Sequence, residues 1–393
     1  MSSTLPLRAH LDWLKKVSKE RLETLRATDP SARLADAQLA VAREYGFASW
    51  RKLKEEVDRR REKLEQLLPG GRASAKEAAA IAPDDAELVR LVEAVKAGDV
   101  KMAGELLTRR PALAAARDAH GQTPLHVAAE CDDARLGAYL LAVGADPEAR
   151  FGQSGHTALS WAVTCHGLDF ARAVRKLGVA ADLFCAAGMG DLEAVRAFFD
   201  DTGALRPGAS RTGSSRFARD GSRLPCPPAT AREQISDALV IAARNAHADV
   251  VRELLAHDPD LAFDSYMDGQ ALHWAHYGGS REIIRMLEDA GADAESRDNA
   301  LGCTPRAFGI CVPASWGFVS LVRARLDADP SLARYTDGHT SALHEAAREG
   351  ATGVAQLLLE RGADPAMKNG DGLTAAEVAA AGRHDAVAAL LGA

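Results

Sequence analysis

Apolar positions recur along most of the chain with a period of about 33 residues. The leucine of TPLHVAA, Leu125, lies 34 residues before the leucine of TALSWAV, Leu159. A repeat of this length predicts a stack of small units, none of which could bury its own apolar side alone. The same slot recurs in roughly nine units, at Leu91, Leu125, Leu159, Leu183, Leu239, Leu272, Arg306, Leu343 and Ala376.

Each repeat predicts a short helix, a turn and a second helix. The first helix begins at Thr-Pro or a similar cap, because proline is tolerated in the first turn, and carries small residues such as Ala128 and Ala129. The second helix carries paired apolar residues such as Leu140 and Leu141. A Gly-Ala-Asp segment follows, in which glycine ends the helix and aspartate starts a turn. We therefore expect an all-α chain.

This repeated sequence pattern resembles the ankyrin repeat. The stretches GQTPLHVAAECDDARLGAYLLAVGADPEAR and TSALHEAAREGATGVAQLLLERGADPAMK match its pattern closely, and the resemblance extends from about Asp84 to the C-terminus. It implies an ankyrin solenoid of stacked helix pairs, with loop tips and first helices forming a concave face that binds proteins. It also implies that His126, His273 and His344, in the TPLH slot, hydrogen-bond to the backbone of the loops.

Residues 1–68 lack the repeat and predict three helices, with a turn at Gly46 before the third. The segment resembles the helical region ahead of many bacterial ankyrin arrays, and we interpret it as an N-terminal cap. Self-association through the helix at 49–68 is the alternative. Residues 69–83 predict a linker, and residues 84–393 the array. The third helix has an apolar stripe formed by Trp50, Leu53, Val57, Leu64 and Leu67.

Two irregularities interrupt the array near its middle. Only 24 residues separate Leu159 from Leu183, so a loop tip is missing there. The next interval, to Leu239, is 56 residues, and its surplus is an insert at about 206–234 rich in Gly, Ser, Pro and Arg. We interpret this insert as a solvated loop outside the core, with a lid over the gap or a loop that contacts a partner as the alternative. A smaller surplus lies around Pro313 and Trp316.

The charge and composition of the chain argue against several kinds of partner, location and chemistry. A net charge of −7 gives no reason to expect nucleic acid as a partner. No apolar run suits a membrane span or a secretory signal. The six cysteines contain no CxxC pair, which is typical of reduced thiols, so we expect a cytoplasmic protein without disulfides. No phosphate-binding glycine loop, GxSxG or HExxH motif occurs, and we expect neither cofactor nor metal.

Candidate binding residues lie on or beside the first helices. The positions that we expect to be more exposed there are Glu130, Cys131, Thr164, Cys165, Met189, Arg244, Asn245, Tyr277, Arg348 and Glu349. His276 stands where other repeats have a small residue, and Tyr277 is next to it. Cys131 and Cys165 occupy equivalent positions in consecutive repeats. Together with His166, however, they supply too few ligands for a metal site. The full set of predicted contact residues is Glu130, Cys131, Trp161, Thr164, Cys165, Met189, Arg244, Asn245, Trp274, His276, Tyr277, Arg348 and Glu349.

The sequence therefore favours a non-enzymatic scaffold that binds a protein partner on the concave face. The rival hypothesis is an enzyme or small-ligand binder with a pocket beside the missing loop tip and the insert. His276, Tyr277 and Trp161 would then lie near the floor of that pocket. Titratable groups that converge in a closed pocket would favour the rival.

Overall fold

The computed structural model describes residues 11–67, 75–152, 155–214, 216, 222–264 and 269–392. Regular secondary structure in these ranges is helical, with isolated β-bridges in loops. The chain divides into two compact units, Met1–Ala181 and Asp182–Ala393, called unit 1 and unit 2 below. Within the described ranges, no helix combines the length and the apolar character that a membrane crossing requires.

Three helices form the N-terminal part of unit 1, as the sequence predicts. Leu14, Val41 and Leu53 are buried together in a small core of their own. The side chains of Leu64 and Leu67, the end of the predicted stripe, lie outside the described residues. The capping role and the alternative of self-association therefore stay predictions. The helices are α1 (Leu11–Thr28), α2 (Leu34–Glu44) and α3 (Trp50–Leu67).

A short helix, α4 (Ala75–Ala79), lies inside the segment assigned as a linker. Ala78 and Ile81 are buried. Helix α4 packs against the 3-10 helix Pro111–Ala115, which follows the first helix pair of the array. The second half of this segment thus contributes to the packing of unit 1 as well as connecting its parts.

Three helix pairs follow in unit 1. The first helices pack on one another in chain order, and so do the second helices. A close approach is possible because Gly167 has no side chain, since a Cβ there would lie 2.5 Å from the carbonyl oxygen of Ala129. The pairs are α5 (Ala86–Lys96) with α6 (Val100–Arg109), α7 (Pro124–Glu130) with α8 (Ala134–Val143), and α9 (Ala158–Thr164) with α10 (Leu168–Lys176).

Unit 2 contains six more helix pairs in its described residues. Its first helices again pack in chain order, and every predicted repeat position of both units falls in a first helix. The pairs are α11 (Leu183–Met189) with α12 (Leu192–Ala197), α13 (Ala231–Arg244) with α14 (Ala248–His257), α15 (Ala271–Gly278) with α16 (Arg281–Asp289), α17 (Pro305–Ser315) with α18 (Val319–Ala328), α19 (Ala342–Arg348) with α20 (Thr352–Glu360), and α21 (Ala375–Ala381) with α22 (Asp385–Leu390).

The histidines of the TPLH slot are structural, as the resemblance implies. His126 Nε2 lies 3.2 Å from the carbonyl oxygen of His156 in the next repeat, and the backbone N–H of Thr123 donates to His126 Nδ1 at 3.2 Å. His273 and His344 make equivalent contacts in unit 2. Burial lowers the pKa of His126 and of His273 to about 4, so both rings are neutral at neutral pH.

Part of the insert is packed against helices. Ala209, Ser210 and Thr212 are buried, so the prediction that the insert is solvated is wrong there, whereas residues 206–208 and Arg211 are exposed. Asp182, the buried N-cap of α11, accepts the N–H groups of Arg211 and Thr212 at 2.8 and 2.7 Å. Buried Asp237 of α13 accepts the N–H of Ser214 at 3.0 Å. Ala209 is the one buried hydrophobic side chain of residues 206–214, and the polar groups of this segment satisfy two buried carboxylates.

The end of the insert is also ordered. Helix α13 begins at Ala231, so the last residues assigned to the insert belong to that helix, capped by Thr230 and Glu233. The side chain of Arg216 is buried, lies 3.9 Å from the Glu233 carboxylate and donates to the carbonyl oxygen of Pro225 at 3.1 Å. Residues 215 and 217–221 lie outside the described part of the chain.

Candidate functional site

In unit 1 the structure brings Glu130 and Trp161 together. Glu130 Oε2 accepts hydrogen bonds from Trp161 Nε1 at 3.3 Å and from Gln122 Nε2 at 3.1 Å. The Trp161 ring also meets Phe151 edge-on, with centroids 5.0 Å apart. Glu130 is exposed and Trp161 is half-buried, so this pair forms a small surface that is both acidic and aromatic.

The other candidates of unit 1 do not form a chemical site. Burial and the charge of Glu130 raise the pKa of the Cys131 thiol, which is therefore protonated and a weak nucleophile at neutral pH. Cys165 is half-buried at the end of α9, and the Thr164 hydroxyl donates back to the carbonyl oxygen of Ser160 at 2.9 Å. A search of the described residues of both units finds no group of side chains suited to hold a metal ion.

Four of the candidates in unit 2 lie at the ends of α11, α13 and α19. Asn245 is buried, and its Nδ2 donates to the carbonyl oxygen of Gly188 at 2.8 Å. The prediction that Asn245 is exposed is therefore wrong, because this side chain ties α13 to α11. Met189 is half-buried, and Arg348 and Glu349 are exposed as predicted.

Three of the remaining candidates in unit 2, Arg244, Trp274 and Tyr277, belong to an aromatic cluster that spans three consecutive first helices. We call it the aromatic patch, and it consists of Arg244, Trp274, Tyr277, Trp316 and Phe318. The centroid of the Trp316 ring lies 5.9 Å from that of Tyr277 and 5.6 Å from that of Phe318. Tyr277 is only 1% exposed, so its predicted exposure is wrong. Trp316 and Phe318 remain 48% and 46% exposed.

Arg244 is the one cation of the aromatic patch. Its guanidinium carbon lies 4.7 Å from the ring centroid of Trp274, 5.2 Å from that of Tyr277 and 5.8 Å from that of Trp316. Arg244 Nε has no hydrogen-bond partner among the described residues, and none of their carboxylates forms an ion pair with it. Cation–π contacts hold the guanidinium in place and leave its hydrogen-bonding capacity available to a bound carboxylate.

Helix α17 places the exposed aromatics. It spans 11 residues, whereas the equivalent helices α15 and α19 span 8 and 7. The surplus that the sequence located around Pro313 is therefore taken up as extra helix, with Trp316 as its C-cap. Sequence reasoning did not assign Trp316 or Phe318 to the site. The available signal was two aromatic residues directly after an insertion in a first helix.

His276 occupies a position where other repeats have a small residue, and Gly309 of the next first helix faces its backbone. A Cβ at position 309 would lie 2.8 Å from the backbone carbonyl carbon and oxygen of His276. Burial, followed by the charges of His273 and Arg306, lowers the pKa of His276 to about 4. Its ring makes no hydrogen bond to another described residue. Instead His276 lines a pocket of about 480 Å³ between the α15/α16 and α17/α18 pairs.

Two residues of the rival hypothesis, His276 and Tyr277, face different surroundings. The ring of Tyr277 packs into the aromatic patch, whereas its neighbour His276 lines the pocket. No described residue of 206–234 lines this pocket. The rival hypothesis of a pocket beside the missing loop tip and the insert therefore stays a prediction.

Comparison with known families gives two matches. A family model described as ankyrin repeats in three copies matches residues 91–183 and 224–298. A second, described as ankyrin repeats in many copies, matches residues 326–379. Together the matched segments cover more than half of the chain, and they contain most of the helix pairs described above.

Proposed function

Because the chain belongs to the ankyrin repeat family, whose repeats are in general protein–protein interaction modules, we propose that it is a non-enzymatic scaffold that binds a protein partner through the first helices of unit 2. These helices correspond to the concave face of the solenoid that the family resemblance implies. The aromatic patch is the proposed centre of the contact.

The observation that carries this proposal is the exposure of Trp316 and Phe318. Both large rings are nearly half exposed, and they lie against each other over the buried ring of Tyr277. Contiguous exposed aromatics on a rigid helical support are typical of protein interfaces, where tryptophan and tyrosine provide much of the binding energy. The partner would cover these rings with apolar side chains.

Arg244 adds a charge requirement to the partner. Its guanidinium is half-buried beneath the exposed rings and forms no ion pair with a described residue. A partner carboxylate that reaches it would gain charge-assisted hydrogen bonds in a site from which bound side chains exclude water. We therefore expect the partner segment to combine an aspartate or glutamate with adjacent apolar residues.

The test is affinity capture from native lysate with three forms of the full chain. These are the wild type, the Trp316→Ala/Phe318→Ala variant, and a control that truncates two apolar side chains of similar exposure, Val89→Ala/Leu373→Ala. The control residues are 41% and 39% exposed and lie outside the aromatic patch. Circular dichroism and a thermal unfolding curve show that each form is folded.

We expect at least one protein to be enriched by the wild type and by the control and lost with the Trp316→Ala/Phe318→Ala variant. Its recovery with Arg244→Gln should also fall, because the guanidinium is removed while the rings remain. Equal recovery by the patch variant and the wild type would reject the aromatic patch as the binding surface.

A further inference from the structure

The second helices of unit 2 are not evenly packed. Helices α12, α14 and α16 pack in succession, and so do α18, α20 and α22, but α16 and α18 make few close approaches in the described structure. The pocket of about 480 Å³ lies in this gap. Its volume is within the range that holds small-molecule ligands. The first helices α15 and α17, by contrast, lie close together because Gly309 has no side chain to meet the backbone of His276.

Positive charge dominates the lining of this gap, which we call the arginine pocket. Four arginines and two acidic residues line it, so it carries an excess of two positive charges in a chain whose net charge is −7. His276 adds no charge at neutral pH. The six charged residues are Arg281, Arg285 and Glu288 of α16, Arg306 of α17, and Arg325 and Asp329 at α18.

Most of this positive charge is not neutralised inside the protein. Arg306 Nη2 lies 3.1 Å from the Asp329 carboxylate. Arg281 Nη2 donates only to a backbone carbonyl, that of Ala328, at 3.4 Å. Arg285 is exposed and forms no ion pair with a described residue. Arg281 and Arg285 are four residues apart on one helix, so their side chains lie on the same face.

Arg325 is the least compensated of the four. It is half-buried, donates to the carbonyl oxygen of Tyr277 at the end of α15, and has no partner for its buried Nε among the described residues. Burial lowers the pKa of Arg325. Gly279 makes room for it, because a Cβ there would lie 1.8 Å from Arg325 Nη1. A partly desolvated guanidinium without a counter-ion is costly, and a bound anion would remove that cost.

We propose that the arginine pocket binds a small phosphorylated molecule, with its dianionic phosphate held by Arg281, Arg285 and Arg325 and the imidazole of His276 in contact with the ligand. An excess of two positive charges matches a phosphomonoester dianion. Guanidinium groups donate pairs of hydrogen bonds to phosphate oxygens, and arginines on two different helices can surround a tetrahedral anion. The pocket shares no residue with the aromatic patch, so this inference is independent of the proposed function.

The experiment is isothermal titration of the full chain at constant ionic strength with four probes. Glycerol 3-phosphate and glucose 6-phosphate represent phosphomonoesters, inorganic phosphate represents the free anion, and citrate represents polycarboxylates. We expect at least one phosphomonoester to bind with a dissociation constant of about 1 mM or tighter. Citrate should bind more weakly. Absence of binding by both esters, or tighter binding of citrate, would overturn the proposal, and tighter binding of inorganic phosphate would reject an esterified ligand.

Two charge-matched variants locate the site. Arg285→Gln removes an exposed guanidinium of the pocket, and Arg323→Gln removes an exposed one on α18 that does not line it. We expect Arg285→Gln to weaken ester binding about tenfold, which corresponds to the loss of one charge-assisted contact, and Arg323→Gln to leave it unchanged. Equal weakening by both variants would show general attraction to positive charge and would contradict the proposed pocket.

Discussion

Gly309 and His276 face each other across α17 and α15, where the two helices approach closely. A Cβ at position 309 would lie 2.8 Å from two backbone atoms of His276 and 2.9 Å from its Cβ. These atoms cannot move away as the end of a flexible side chain could. Glycine at position 309 therefore lets α17 approach the backbone of α15 closely.

Gly309→Ala should therefore destabilise the protein by about 1–3 kcal/mol, because an added methyl group forces apart two packed helices. Gly104→Ala is the matched control. A Cβ there would lie 3.6 Å from the Tyr139 hydroxyl, which is an ordinary contact. Within helix α6 this change should be neutral or stabilising by up to about 1 kcal/mol. Urea unfolding measures both, and equal midpoints for the two variants would contradict the close approach at Gly309.

Stability should decrease as the pH is lowered from about 6.5 to about 4. The pKa of His126 is about 4 in the folded protein, below its ordinary value of 6.5. The unfolded chain therefore binds more protons in this range, and stability that is fully present above pH 6.5 is lost as the pH falls toward 4. The full shift corresponds to about 3 kcal/mol. The measurement is the free energy of unfolding of the wild type and His126→Gln across this range. The variant should have the shallower dependence, and identical pH dependence would contradict this account.

Asp182→Ala should destabilise the start of unit 2 by more than the loss of a single helix cap would. The Asp182 carboxylate accepts from Cys185, Arg211 and Thr212, so its removal strands several buried donors, at a cost of about 3 kcal/mol or more. Asp200→Ala is the control, because Asp200 also accepts from nearby N–H groups but is less buried. Hydrogen exchange of residues 206–214 should accelerate only in Asp182→Ala. Unchanged exchange would show that the carboxylate does not anchor the insert.

The repeat architecture could be predicted because it depends on short-range periodicity. The repeat position is a buried leucine, such as Leu125, in seven of the nine units, and the cap and glycine positions lie at similar distances from it. The structural role of His126 followed from the same register. In each case the information lies within one repeat or between adjacent repeats.

The packing of the insert could not be predicted in this way. Its composition indicated a solvated loop, because apolar content was the only criterion. Asp182 and Asp237, which precede and follow the segment, bury its polar groups through hydrogen bonds instead. Such pairing depends on where a loop returns in space, and a count of apolar residues does not contain that information.

The aromatic patch and the arginine pocket depend on how neighbouring repeats pack against each other. Tyr277 was predicted to be exposed from its helix position, but the lengthened α17 brings Trp316 over it. Trp274 and Arg244 join the same cluster from the neighbouring repeats. The sequence showed the surplus in α17 but not the direction in which the extra turn carries its aromatic residues.

If a protein partner covers Trp316 and Phe318, a photoreactive side chain at this surface should crosslink to it. The experiment is photo-crosslinking in cells that express the full chain with a photoreactive phenylalanine analogue in place of Phe318 or, as a control, of Leu373. Both positions are exposed, but only Phe318 belongs to the aromatic patch. We expect a discrete crosslinked partner from position 318 that is absent from position 373 and diminished by Arg244→Gln. No crosslink at position 318, or the same products from both positions, would contradict it.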